Sequence, residues 1–144
     1  MSLRLVASPS DDLDEDVAER IDEFERETLN VRRPREKEGV YWWLLENGDE
    51  LCGYCGMVPY PAYETAFIYA VGVTAAYRGQ GLQRRMMRAM ERQARRDGLT
   101  RVVTYTDESN IWSANNFIRS GYVLYVPPQG HAPGWLNFWK RLDA

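Results

Sequence analysis

A chain of 144 residues with 44% hydrophobic and 27% charged side chains can bury one proper core and is far too apolar for a disordered polymer. No stretch approaches the roughly 18–20 apolar residues of a membrane-spanning helix, and no basic-then-apolar leader precedes Leu3–Ala7, so residues 1–144 are expected to form a single cytoplasmic domain with no membrane partner. The net charge of −3 hides a split: residues 11–27 carry ten acidic side chains against Arg20 and Arg26, and residues 78–101 carry eight arginines against Glu91 and Asp97. The acidic stretch argues against nucleic acid as a partner, and a local anion suffices to explain the arginines.

Leu3–Ala7 alternates enough for a short first strand, which Ser8–Asp12 breaks. Asp12 followed by Glu15 has the form of a capping box, and Leu13, Val17, Ile21 and Phe24 then recur at helical spacing. A polar loop, Arg32–Lys37, ends that pattern. Val40–Glu46 and Leu51–Val58 read as two strands joined at Asn47-Gly48, a pair that suits a type I′ hairpin turn. Trp42 and Trp43 must point to opposite faces, one into the core and the other onto a surface or cleft. Cys52 and Cys55, three apart in a strand, should also face opposite ways, which disfavours a disulfide or a shared metal. With His131 as the chain's one histidine, no metal site is expected.

Pro59–Tyr63 is a turn and Glu64–Val73 a third consecutive strand, making an antiparallel meander. Gly79 and Gly81 follow, where strand periodicity gives way to helical periodicity. The first amide groups of a helix lack intrahelical partners and point along the positive end of its dipole, and glycine lets an anion approach without meeting a Cβ. Arg78, Arg84, Arg85 and Arg88 crowd this positive end, an arrangement unfavourable by roughly 0.3–1 kcal/mol each until an anion binds. Neither a Walker loop nor a dinucleotide fingerprint fits, because Leu82-Gln83 stands where Lys-Ser/Thr would be and Arg84 stands at the third glycine. Leu82, Met86, Met90 and Ala94 form the buried stripe of the helix, and Gly98 stops it. Arg101–Tyr105 is then a strand parallel to the preceding one. Asn110–Tyr122 is a short helix with a glycine stop, and Tyr122–Val126 and Trp135–Arg141 are a closing pair around Pro127–Gly134.

Val73-Thr-Ala-Ala-Tyr-Arg78-Gly79-Gln80-Gly81-Leu82-Gln83 resembles the acyl-CoA motif of the GNAT N-acetyltransferases, Arg/Gln-x-x-Gly-x-Gly/Ala after a strand carrying valine. Arg78 and Gly81 match, whereas Gln83 replaces a small residue. Asn110, Ser113 and Gly121 match the second motif, Asn-x-x-Ala/Ser-x-x-x-Tyr-x-x-x-Gly-Phe, with Tyr122 as the closing aromatic. Two motifs in order are far more specific than one. The resemblance implies an α/β (α+β) fold with a mixed, mostly antiparallel sheet of six to seven strands. About three to four helices would flank it, and the strands carrying Val73 and Tyr105 would splay to admit the pantetheine arm. It also implies that the segment after the first helix lines the acceptor side.

The implied reaction is transfer of an acetyl group from acetyl-CoA to a primary amine by direct attack, with no metal. Backbone amides of Gly79, Gln80, Gly81, Leu82, Gln83 and Arg84 would hold the pyrophosphate, Val71 and Val73 the thioester, and Asn110 and Ser113 the pantetheine arm. Phe117 occupies the position along the arm where many relatives carry the tyrosine that protonates the thiolate; Tyr105, Tyr122 and Tyr69 are the alternative proton donors. Glu64, Tyr69, Glu108 and Asp107 are the candidates for a base or its water relay. Phe67 stands where several relatives have a catalytic glutamate. His131 in the closing loop is a further candidate base. Two rival readings stand beside this one: an acyl-CoA-binding sensor or interaction module without turnover, and a scaffold that has lost CoA. The exposed edge of the last hairpin makes a homodimer an open expectation.

Overall fold

The structure, a computed structural model, describes residues 1–29, 39–130 and 132–143. The Arg32–Lys37 loop and His131 lie outside the described residues. The elements in chain order are β1 Ser2–Ala7, α1 Glu15–Phe24, β2 Tyr41–Asn47, β3 Glu50–Tyr60, β4 Thr65–Val73, α2 Leu82–Arg96, β5 Arg101–Asp107, α3 Ile111–Arg119, β6 Val123–Tyr125 and β7 Trp135–Arg141. They build a seven-stranded sheet of order β1-β2-β3-β4-β5-β7-β6, in which β4 and β5 form the parallel pair and all other pairs are antiparallel. β7 therefore inserts between β5 and β6.

Each face of the sheet has its own core. On one face Trp43, Leu45, Cys55, Met57, Ile68 and Val73 pack against Met86, Met87, Met90 and Ala94 of α2 and Phe117 of α3. The three methionines are fully buried, and burial of each is worth about 1.5–3 kcal/mol. On the opposite face Trp42, Leu44, Tyr54, Val58 and Ala70 pack under Ile21 and Phe24 of α1. Trp42 and Trp43 do point to opposite faces, but both are buried, because helices cover the sheet on each side of β2. The near-continuous apolar sequence of β4 has the same cause.

Of three register shifts in the sheet, two, in β3 and β4, reset the alternation near the site. Leu45 pairs with Gly53 and Glu46 with Leu51, so Cys52 is an extra residue in β3. It therefore turns to the α2 face, the face that Cys55 occupies, and the expectation of opposite faces is corrected. Both cysteines are buried free thiols, and burial raises the pKa of Cys55. In β4, Gly56 pairs with Ala70 and Met57 with Ile68, leaving Tyr69 as the extra residue. Phe67, Tyr69 and Ala70 consequently lie on the α1 face, and Val71 and Val73 return to the α2 face.

Two local expectations also change. The α1 N-cap is Asp14 rather than Asp12: its carboxylate accepts from the amides of Asp16, at 2.9 Å, and Val17, at 3.4 Å. Asn47 pairs with Glu50, so the β2–β3 turn is centred on Gly48-Asp49, and positive φ at Gly48 alone matches a II′ pattern instead of I′. α1 runs on into a π-helical turn, Glu25–Leu29.

Candidate functional site

β4 and β5 pair only from Thr65 to Phe67 against Arg101 to Val103, although β4 runs on to Val73 and β5 to Asp107. Beyond the last pair the strands part, as the family resemblance implied. The Thr104 hydroxyl donates to the Ile68 carbonyl at 3.2 Å, and Arg78 Nε donates to the Val73 carbonyl at 3.3 Å. Between these two tied points the β4 edge, with Val71 and Gly72, faces the gap.

A cavity of about 440 Å³ occupies the gap on the α2–α3 side, within the size range of small-molecule sites. Its walls are Val71, Gly72 and Val73 of β4, Tyr77–Gly79 and Gly81–Arg84 at the start of α2, and Asn110, Trp112, Ser113, Asn116 and Arg119 of α3. The glycine loop is held from below by the β2–β3 hairpin: the Tyr77 hydroxyl donates to Glu50 at 2.8 Å and accepts from Asn47 at 3.3 Å.

Gly79 and Gly81 have φ of 81° and 75°, a region costly for other residues, and a Cβ at either would meet no atom within 4 Å. Both glycines line the cavity, so their backbone is open to a ligand there. Gly81 caps α2 without a side-chain bond, and the first helical bond runs from the Arg85 amide to Gly81 O at 3.0 Å. The amides of Leu82, Gln83 and Arg84 thus end the helix unmatched within it. Gln83 Nε2 and Arg84 Nε are buried without a hydrogen-bond partner among the described residues, and both residues line the cavity. Unpaired buried donors are costly in a folded protein, by about 1–3 kcal/mol, and more for a charged group. An anionic ligand with several acceptor oxygens would satisfy both; the residues fit the phosphates of a CoA-type donor.

The sequence-derived residues fall into two groups. Val71, Val73, Arg78, Gly79, Gly81, Leu82, Gln83, Arg84, Asn110 and Ser113 meet around the cavity. Arg78 uses its Nε on Val73, and Asn110 Oδ1 caps α3 by accepting from the Ser113 amide at 3.2 Å. Gln83 Oε1 accepts from Asn116 at 3.3 Å, so the residue that replaces a small one bridges α2 to α3.

The second group lies elsewhere. Gln80 is exposed in the loop and off the cavity wall. Phe117 sits in the core against Tyr122 and Phe138, with ring centroids at 5.5 and 5.3 Å. Glu64 precedes β4, which starts at Thr65 rather than at Glu64 as expected, and lies at the end opposite the glycine loop, beside Tyr63, Arg101 and Arg141. The paired ends of β4 and β5 separate it from the cleft. Tyr69 lies on the α1 face, its ring edge-on to Trp42 at 5.7 Å. Glu108 is exposed just past β5, and its amide donates to Gly134 O at 2.8 Å. Tyr122 is locked away, its hydroxyl donating to Glu91 at 3.0 Å, and burial together with that carboxylate raises its pKa strongly. Arg85 turns to Met1 O, and Arg88 is exposed.

Trp112, Asn116 and Arg119 were missed from the sequence. They recur at i, i+4 and i+7, a helix face that could have been read as a polar and aromatic stripe alongside Ser113.

A mixed, mostly antiparallel sheet that splits between its parallel strands β4 and β5, with a helix N-terminus at the split, is an acyltransferase-type fold. The model of the acetyltransferase (GNAT) family matches residues 6–122, and the chain belongs to that family. Solved structures share the fold. The ribosomal-protein-S18-alanine N-acetyltransferase of Escherichia coli superposes with a TM-score of 0.75 at 11% identity, covering 98% of this chain and 94% of its own. A GNAT-family acetyltransferase of Staphylococcus aureus Mu50 gives 0.74 at 11%, over 98% and 99%. A variant of the spermidine N-acetyltransferase of Vibrio cholerae gives 0.74 at 12%, over 99% and 96%. At such identities the likeness carries the fold alone. No curated protein matches by sequence.

Proposed function

We propose that residues 1–144 act as one N-acetyltransferase domain that moves the acetyl group of acetyl-CoA to a primary amine within a ternary complex. The observation that carries this reading is the cavity at the β4–β5 split with Gln83 Nε2 and Arg84 Nε unpaired in its wall. In this reading the amides of Leu82–Arg84 and the Arg84 side chain hold the pyrophosphate, Gly79 and Gly81 let it approach, and Asn116, Ser113 and Asn110 flank the pantetheine arm. Backbone of Val71–Val73 aligns the thioester and stabilises the oxyanion as the amine nitrogen bonds to the carbonyl carbon.

The nitrogen then loses a proton and the C–S bond breaks, releasing thiolate. A lysine-like amine arrives charged, near pKa 10.4, so a proton acceptor is needed on the acceptor side. Glu108, just past β5 at the open side of the split, is the carboxylate that takes the proton, through water; Tyr69, on the α1 face, is the second candidate. Glu64 is set aside on its position. Phe117, buried with no acidic proton, favours a second reading in which the domain binds acyl-CoA without turnover.

The test is thiol release from acetyl-CoA over a panel of primary amines. Amine-dependent release above the no-enzyme background supports transfer. Saturable donor binding with no release across the panel would favour the sensor reading. If Glu108 relays the proton, Glu108→Gln lowers kcat/KM for the amine while leaving acetyl-CoA binding intact; an unchanged kcat/KM removes Glu108.

A further inference from the structure

The cavity lies on the α2–α3 side of the sheet, and the parted strands β4 and β5 also have an opposite, α1-side face. There β5 and β7 carry no helix among the described residues. Alternation sends Val102, Thr104 and Thr106 into the covered side, where all three are buried, and turns Tyr105 and Asp107 outward. Tyr105 is 51% exposed and Trp135, at the start of β7, is 41% exposed. The two rings meet edge-to-face at 5.1 Å and 90°, and Tyr105 stacks on Phe67 at 5.6 Å and 28°. Phe67 is the last β4 residue paired to β5, so this aromatic corner, on the α1 face, begins where the two strands part.

We propose that this corner receives the acceptor, and that the acceptor is an arylalkylamine: a flat aromatic body on a short linker ending in a primary amine. The proposal rests on the acetyl-transfer reading. Perpendicular Tyr105 and Trp135 rings give a flat group one face to stack on and one edge to abut, a geometry a flexible alkyl chain matches less well. Asp107 lies opposite Trp135 in register, and the amide and hydroxyl of Ser109 keep its carboxylate below the usual pKa range. It supplies one negative charge beside the rings, enough for one ammonium group. At the far end of the same strands Arg101 pairs with Arg141, facing the same way. A second ammonium group would gain nothing at that end, because Asp143 pairs with Arg141 at 3.1 Å and Glu64 lies beside the two arginines, so the ring pair rather than charge sets the preferred class.

The experiment compares kcat/KM for 2-phenylethylamine, n-hexylamine and spermidine with acetyl-CoA, in the native protein and in Tyr105→Ala and Trp135→Ala. The expected result is a preference of about tenfold or more for 2-phenylethylamine, largely abolished by either substitution through the KM of the amine. Equal or better use of hexylamine or spermidine overturns the proposal, as does a uniform loss on all three amines. A dimer that Trp135→Ala dissociates while the amine preference stays intact, seen by sedimentation velocity, also overturns it by giving this face to a second copy of the chain. Calorimetry of 2-phenylethylamine into CoA-saturated protein separates the two levels. Binding without acetylation upholds the corner and refutes acetyl transfer, and absence of both binding and turnover refutes the corner.

Discussion

Replacing Glu91 by leucine removes the centre of a buried polar cluster that ties α2 to the end of α3 and to β7. Its carboxylate, 4% exposed, accepts from the Tyr122 hydroxyl at 3.0 Å and from Lys140 Nζ at 2.9 Å, and Lys140 also donates to Ser120 O at 2.8 Å. The ammonium sits 5.6 Å from the Tyr122 ring centroid. Breaking one partner of a buried pair costs about 3–5 kcal/mol; because Lys140 is 24% exposed, water recovers part of its share and the lower end applies. The orphaned Tyr122 hydroxyl adds about 1 kcal/mol. Glu91→Leu is therefore expected to lose about 3–4 kcal/mol, or roughly 10 °C in Tm. Adding Lys140→Met removes the uncompensated charge and should return about 2 kcal/mol. The assay is urea unfolding followed by tryptophan fluorescence, with m-values checked for constancy. A loss under 1 kcal/mol in the single variant, or a double variant no better than the single, refutes the cluster as a coupled unit.

Gly81→Ala forces alanine into φ of 75°, a folding cost of about 1–2 kcal/mol. Gly98→Ala, at the same φ beyond the far end of α2, should cost as much in stability but keep acetyl-CoA affinity, whereas Gly81→Ala weakens it about tenfold or more. Parallel calorimetry and unfolding of the two variants make the comparison, and equal affinities would remove the close approach at Gly81. Glu46 accepts from Arg4 and Arg20, each at 3.0 Å, and the Arg4 bond above all holds its carboxyl below the ordinary 4.5. With the folded pKa depressed, this stabilisation is fully present above the unfolded pKa and disappears as pH falls through the folded one. Glu46→Gln should thus cost about 0.5–1 kcal/mol at neutral pH, and the gap to the native protein should close under acid. A gap in urea midpoints that persists below the carboxylate range contradicts the assignment.

Much of this site was legible because its signals are local. Gly79 and Gly81 break a strand pattern ahead of a helical one, and the order of Arg78, Gly81, Asn110 and Gly121 follows from sequence spacing alone. What escaped depends on partners. The extra residues Cys52 and Tyr69 flip their strands' alternation, and only the register against β2 and β3 reveals them. Glu64 looked suitable by residue type, but a parallel β5 makes one end of β4 the closed end. Phe117 aligned with a motif position along the donor's arm, yet its ring turns into the core between Tyr122 and Phe138. Trp112, Asn116 and Arg119 were readable as a helical stripe, but which α3 face meets the cavity is decided by how α3 packs beside α2.

In the proposed function the start of α2 holds the phosphates of an acyl-CoA. Calorimetric titration of acetyl-CoA into the native protein and into Arg84→Ala, at low and high salt and with CoA and ATP as controls, addresses it most directly. One site per chain is expected for acetyl-CoA and CoA, and none for ATP. The affinity should fall with salt in the native protein, and less steeply in Arg84→Ala. Absence of acetyl-CoA binding, or an affinity indifferent to both Arg84 and salt, contradicts it.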